Sequence, residues 1–213
     1  MGKQALKNKL LKAVEAINNS LINVVKTSEH GSYWHTMGLV EGKITWELNE
    51  NLYCGVAGIG LYFLRQYKAL GNQKHLELAK ESIRYAAYLA ENTAAASPAF
   101  LTGKMGVALT MVELHHTDAN NDMLQRGIEL AKQSAAVLRT SWDICDYING
   151  ASGRLHALVH IHQLTGNPEI PQLINDLAED LLRKSWLYKK VFTGTAAVSR
   201  FADCADFLTE PAE

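Results

Sequence analysis

A Gly-x-x-Gly pair recurs three times at nearly constant distance, and this repeat constrains the fold more than any other feature. Gly55 and Gly58 stand in CGVAGIG, Gly103 and Gly106 in TGKMGVA, and Gly150 and Gly153 in NGASGRL; the first glycines are 48 and then 47 residues apart. The register extends beyond the pairs. Phe63–Leu64, Met111–Val112 and Leu158–Val159 follow at equal offsets, and then come Gly71–Asn72, Ala119–Asn120 and Gly166–Asn167. Each unit thus has two punctuation marks separated by one helix-length apolar run. A period in this range marks a helical repeat, with each unit a hairpin that buries its apolar face on its neighbours.

The first helix of each unit, as in VAGIGLYFLRQYKAL, starts at the glycine pair and ends at a C-capping glycine or its substitute. The second, as in HLELAKESIRYAAYL, MLQRGIELAKQSAAVL and IPQLINDLAEDLLRK, has one apolar stripe and one charged face. The first helices are mainly apolar. That asymmetry predicts two layers, first helices inside and second helices outside. The expected fold is all-α: α/α toroid-type hairpin repeats forming an incomplete barrel, in a single domain over residues 1–213. Repeats are placed near 53–93, 101–139 and 148–187, with a partial one at 192–210, and inner helices start near residues 56, 104 and 151. A further amphipathic helix is expected over residues 3–27. The segment 29–52, with Trp34 and Trp46, suits a short hairpin or an ordered loop.

The six glycines are candidate rim residues. A missing Cβ lets backbones approach closely and permits positive φ at the turn. Helix N-termini at one rim would also aim free N–H groups at a common opening. The plainer alternative is that the glycines serve packing alone. Gly194 follows Gly150 by 44 residues, but Gly-x-x-Ala replaces the pair, and the expectation is a chain that stops within a fourth unit.

Bulk composition narrows the function classes. Apolar residues make up 47% and charged residues 20%, as in an ordinary globular protein. Twenty-one basic and 22 acidic side chains give a net charge of -1, which favours neither a nucleic-acid nor an anionic-membrane partner. Cys54, Cys145 and Cys204 are too few and too scattered for a disulfide framework and read as reduced thiols. No signal peptide, myristoylation pattern or membrane span is evident, so the expected location is cytoplasmic.

The motifs NLYCGVAGIGLYFL, AFLTGKMGVALTMVEL and CDYINGASGRLHALVHIHQLTGNPE resemble the early repeats of lanthionine synthetase C-like proteins. The resemblance implies an α/α toroid of seven inner and seven outer helices, of which this chain holds about three and a half hairpins. It implies intramolecular thioether formation, in which a peptide Cys thiol adds to dehydroalanine or dehydrobutyrine. In the complete family toroid, zinc held by two Cys and one His activates the thiol, and an Asp and a His handle protons. The Asp-x-Ile-x-Gly signature is present as Asp146 to Gly150, so Asp146 takes the place of the acid/base aspartate. Thr193–Gly194 stands where the family has His-Gly, and neither Cys-His-Gly nor Trp-Cys-x-Gly occurs. The expectation is therefore no metal ligands and no cofactor in this chain, the zinc-bearing half being missing, and no cyclisation unaided. A peptide substrate or a missing C-terminal half is the expected partner, with self-association through the exposed seam.

Other groups invite functional readings beside simpler ones. Asp146 also suits a helix N-cap. Cys54 and Cys145 lie at rims, where a helix N-terminus lowers a thiol pKa, yet small half-buried residues serve there equally. His156 and His160 share a helix face at metal-ligand spacing. His115–His116 suit a helix C-terminus. A peptide-binding module without catalysis is the alternative function. A six-hairpin glycosidase, with Asp143 and Asp146 as its carboxylates, ranks last because both come from one loop.

Overall fold

The computed structural model describes residues 2–40, 42–93, 97–137 and 146–192. Among them the order is α1 (Lys3–Val24), β1 (Lys26–Ser28), β2 (Gly31–Tyr33), β3 (Thr36–Val40), β4 (Lys43–Glu47), α2 (Val56–Leu70), α3 (Gln73–Asn92), α4 (Lys104–Asp118), α5 (Asn121–Ala136), α6 (Ala151–Thr165) and α7 (Ile170–Phe192). The protein is an all-α helical repeat, with two small antiparallel hairpins and no closed sheet among the described residues. The inner helices begin at Val56, Lys104 and Ala151, where the glycine register places them. The proposed fourth unit, with Gly194, lies outside the described residues, as do Asp143, Cys145 and Cys204. No helix among the described residues is long and apolar enough to cross a membrane.

The second punctuation mark resolves into two caps, one per residue. Gly71, Ala119 and Gly166 adopt left-handed φ of 70°, 53° and 60° and close α2, α4 and α6 with N–H bonds to Tyr67, His115 and His162 carbonyls. The asparagine that follows opens the outer segment. Asn72 Oδ1 accepts from Lys74 N–H, Asn120 Oδ1 from Met123 N–H, and Asn167 Oδ1 from Glu169 N–H. Ala119 alone meets the left-handed turn with a Cβ, which costs about 1–2 kcal/mol. Ala119→Gly should raise stability by about 0.5–1 kcal/mol after the extra unfolded-state entropy of glycine is subtracted. A urea midpoint that falls instead would contradict this.

The two-layer expectation holds. α4 runs between α2 and α6 and also packs on α3 and α5, and Met105 through Leu114 are all buried. α3 and α5 bury one face each, centred on Ala79, Ile83 and Ala86, and on Gly127, Leu130 and Ala131. Gly127 of α5 sits against Ala108, Met111 and Val112, which fixes the face of α4 turned toward the outer layer. The 29–52 segment forms hairpins. β1–β2 seats on α3, with Tyr33 stacked on Tyr85 at 4.6 Å. Trp34, buried beside Phe63, donates from Nε1 to the Leu21 carbonyl at 2.8 Å and ties the end of α1 to the body.

Candidate functional site

None of the three rim helices needs glycine for its backbone angle at the first position of the pair, and Gly55, Gly58, Gly103, Gly106 and Gly153 are required for space. Gly55, Gly103 and Gly150 have φ of -118°, -159° and -115°, extended values open to any residue, so the expectation of positive φ is not met. Each preceding loop instead folds back over its helix start. A Cβ on Gly58, Gly106 or Gly153 would stand under 3.0 Å from the carbonyl oxygen six residues earlier, on Leu52, Phe100 and Tyr147. Gly55 and Gly103 are in the same position against Asn49 and Ser97.

That fold-back also alters the expected opening. Val56 and Ala57 N–H donate to the Asn49 and Glu50 carbonyls at 2.8 and 3.1 Å, and Lys104 and Met105 N–H to Ser97 and Ala99 at 2.8 and 3.2 Å. The N-terminal donors of α2 and α4 are therefore satisfied by main-chain carbonyls and do not aim freely at a ligand. Successive loops are joined in repeat register. Tyr53 N–H donates to the Leu101 carbonyl, Leu101 N–H to the Ile148 carbonyl, and Thr102 Oγ1 to Asn149 Oδ1 at 2.6 Å.

Asp146 lies in this rim, four residues before Gly150. Its Oδ1 accepts from Ile148 and Asn149 N–H at 2.6 and 2.7 Å, so it caps the loop and not the helix start. Asn51, four residues before Gly55, does the same work by accepting from Cys54 N–H at 3.0 Å. The half-buried Cys54 thiol lies 3.7 Å from that same Asn51 oxygen. His115 and His116 occupy the last turn of α4.

Below the rim, the inner layer presents a charged cluster that the motif reading did not single out. Glu113 of α4 has a side chain only 4% exposed, on the side of the helix turned away from Ala108, Met111 and Val112. It receives Arg65 Nη2 at 2.5 Å and Lys68 Nζ at 3.0 Å from α2, and His160 Nε2 stands 3.3 Å away on α6. Arg65, Glu113 and His160 each fall ten residues after the first glycine of their unit. The repeat therefore stacks them at one level, about 15 Å from the helix starts. Burial alone would raise the Glu113 carboxyl, but the hydrogen bonds and charges of Lys68 and Arg65 outweigh it and hold the pKa below its ordinary value. The detectable signal was a carboxylate in the middle of an otherwise apolar inner helix.

Aromatic rings connect the two levels. Tyr147 at the rim lies 5.5 Å from His156, which lies 6.5 Å from His160 above Glu113, with Phe100 flanking Tyr147 and His156. His156 and His160 do share a face, as their spacing predicts, but His160 turns to a carboxylate already engaged by two cations. Among the described residues, no three His, Cys, Asp or Glu side chains converge as a metal-ion set. Cys54 has Asn51 beside it and no imidazole partner within its rim loop. The described donors thus do not fit a two-Cys, one-His zinc centre.

No curated protein matches the chain. The family model described as lanthionine synthetase C-like protein matches residues 47–197, which takes in all three glycine pairs, the rim with Asp146 and the Glu113 cluster. With that match over most of its length and the same repeat built in its helices, the chain belongs to the lanthionine synthetase C-like family.

Proposed function

We propose that the chain serves thioether formation on peptides by holding a dehydrated, Cys-containing peptide along the inner face of α2, α4 and α6. The observation that carries this reading is the track from Tyr147 through His156 and His160 to Arg65 and Lys68. Aromatic and imidazole rings offer stacking surface at the upper end. The lower end offers N–H donors that remain partly open to solvent, since the side chains of Arg65 and Lys68 are 50% and 31% exposed. Their tie to Glu113 fixes them before a ligand arrives, which reduces the entropy lost on binding.

Anisotropy of a labelled dehydrated peptide tests this. Arg65→Gln and His156→Ala should each weaken binding by about three- to thirtyfold, the range of one lost polar or ring contact. Unchanged binding in both variants, with helicity intact, would reject the reading.

A catalytic reading has its own support in Asp146, which matches Asp-x-Ile-x-Gly and sits at the rim. In the addition, sulfur bonds to the β-carbon of the dehydro residue, its π bond opens, the thiol gives up its proton and the α-carbon gains one. Asp146→Asn separates charge from structure, because an amide oxygen already performs the same loop capping at Asn51. If Asp146 transfers a proton in the addition, this variant binds peptide normally, while thiol consumption by the chain combined with a zinc-bearing C-terminal half falls.

A further inference from the structure

We infer that α1 and the β3–β4 hairpin together form a docking surface for an anionic lipid bilayer. Residues 2–13 are exposed on every side of α1, so its first three turns stand clear of the body. A helix segment that short is marginal in water without a partner. Leu6, Leu10, Val14 and Ile17 fall at four-, four- and three-residue spacing, which makes one apolar stripe. The stripe does not end with the helix. Ile17 and Met37 of β3 both line an open cleft of about 430 Å³. Met37 is paired across the hairpin with Trp46, and Ile44, two residues before Trp46, shares its face. These three are 62%, 72% and 68% exposed, respectively, for Met37, Trp46 and Ile44.

Charge identifies the occupant. α1 carries Lys3, Lys7, Lys9 and Lys12 against Glu15 alone, with Lys3 and Lys7 beside the apolar stripe, while the hairpin has Lys43 at the start of β4 and Glu47 at its end. The whole-chain charge of -1 conceals this segregation. Leucine and isoleucine in a stripe, an exposed tryptophan and bordering lysines suit a bilayer interface, where apolar groups enter the acyl boundary and ammonium groups reach lipid phosphates. A second copy is a poorer occupant, since pairing the two free halves of α1 would set lysines against lysines. A single exposed helix beside a hairpin also lacks the walls of a peptide groove.

Vesicle co-sedimentation of the full chain provides the test, with phosphatidylcholine alone compared against phosphatidylcholine mixed with phosphatidylglycerol. Binding should be about tenfold or more stronger on the anionic vesicles and should weaken with added salt. Lys3→Gln with Lys7→Gln should remove most of that preference. Leu10→Ser with Trp46→Ser should weaken binding to both vesicles. All four positions are exposed, so helicity should be unchanged. Equal binding to both vesicle types, or none to either, overturns the inference. So does a dimer in sedimentation velocity that Leu10→Ser dissociates, because the surface would then belong to a second copy.

Discussion

Gly103→Val is expected to cost about 4 kcal/mol and to lower Tm by roughly 8–16 °C. The side chain would enter a space bounded by backbone, with its Cβ under 3.0 Å from the Ser97 carbonyl and the Ala99 nitrogen. Backbone atoms cannot step aside as a side-chain end does. The Ser97 oxygen also accepts from Lys104 N–H at 2.8 Å, so moving the loop strips the first helical donor of α4 of its partner. Overpacking contributes about 1–3 kcal/mol and an unsatisfied donor a similar amount. Gly103 is extended, so the loss owes nothing to glycine's special φ range. Gly103→Ala should therefore cost most of what valine costs. Gln133→Ala, at an exposed position of α5, should change stability by less than about 0.5 kcal/mol. Thermal unfolding of the three variants decides the matter: an alanine variant as stable as the wild type would remove the steric account.

Much of this architecture was legible from residue types because the local physics is local. Gly71–Asn72 reads as a left-handed C-cap followed by an N-cap, and both groups act within four residues of themselves. The glycine pairs marked the helix starts for a similar reason. Their purpose was not legible, because the atom that Gly55, Gly58, Gly103, Gly106 and Gly153 each accommodate is a carbonyl oxygen six residues earlier, and a carbonyl is common to every residue type. The same carbonyls remove the free N–H row that helix termini alone would predict. The Glu113 cluster was hidden differently. Its members occupy one repeat position, but that position holds Arg, Glu and His in turn, so a search for a conserved letter along the repeat passes over it. Charge complementarity between neighbouring units, and not identity, is the signal that finds it. Asp146 was visible as a motif, yet only the hydrogen bonds to Ile148 and Asn149 show its engagement in the loop.

Glu113→Gln should destabilise the protein by about 1–3 kcal/mol at neutral pH, with the loss shrinking in acid. Removing one partner from a fully buried ion pair costs about 3–5 kcal/mol, because the other charge is left without compensation. Here the carboxylate is buried, but Arg65 is half exposed and Lys68 about a third, so both cations regain water once the charge is gone. That rehydration sets the lower figure. The pH dependence follows from the depressed Glu113 pKa. A carboxyl held below its unfolded value of about 4.3 contributes its stability above that pH and loses it as pH falls through the folded value. Wild type and variant should thus converge only once the pH has fallen through the depressed folded value of Glu113. His75 adds a separate acid effect. Burial lowers its pKa, so its contribution is complete above about 6.5 and declines as pH falls below that. Both proteins keep His75, and the difference between their urea midpoints across pH cancels it. A difference that stays constant from neutral pH into acid would mean that the Glu113 charge does not stabilise the inner layer. A difference that closes below the carboxyl range would show that the ionised form of Glu113, with Arg65 and Lys68 against it, stabilises the inner layer.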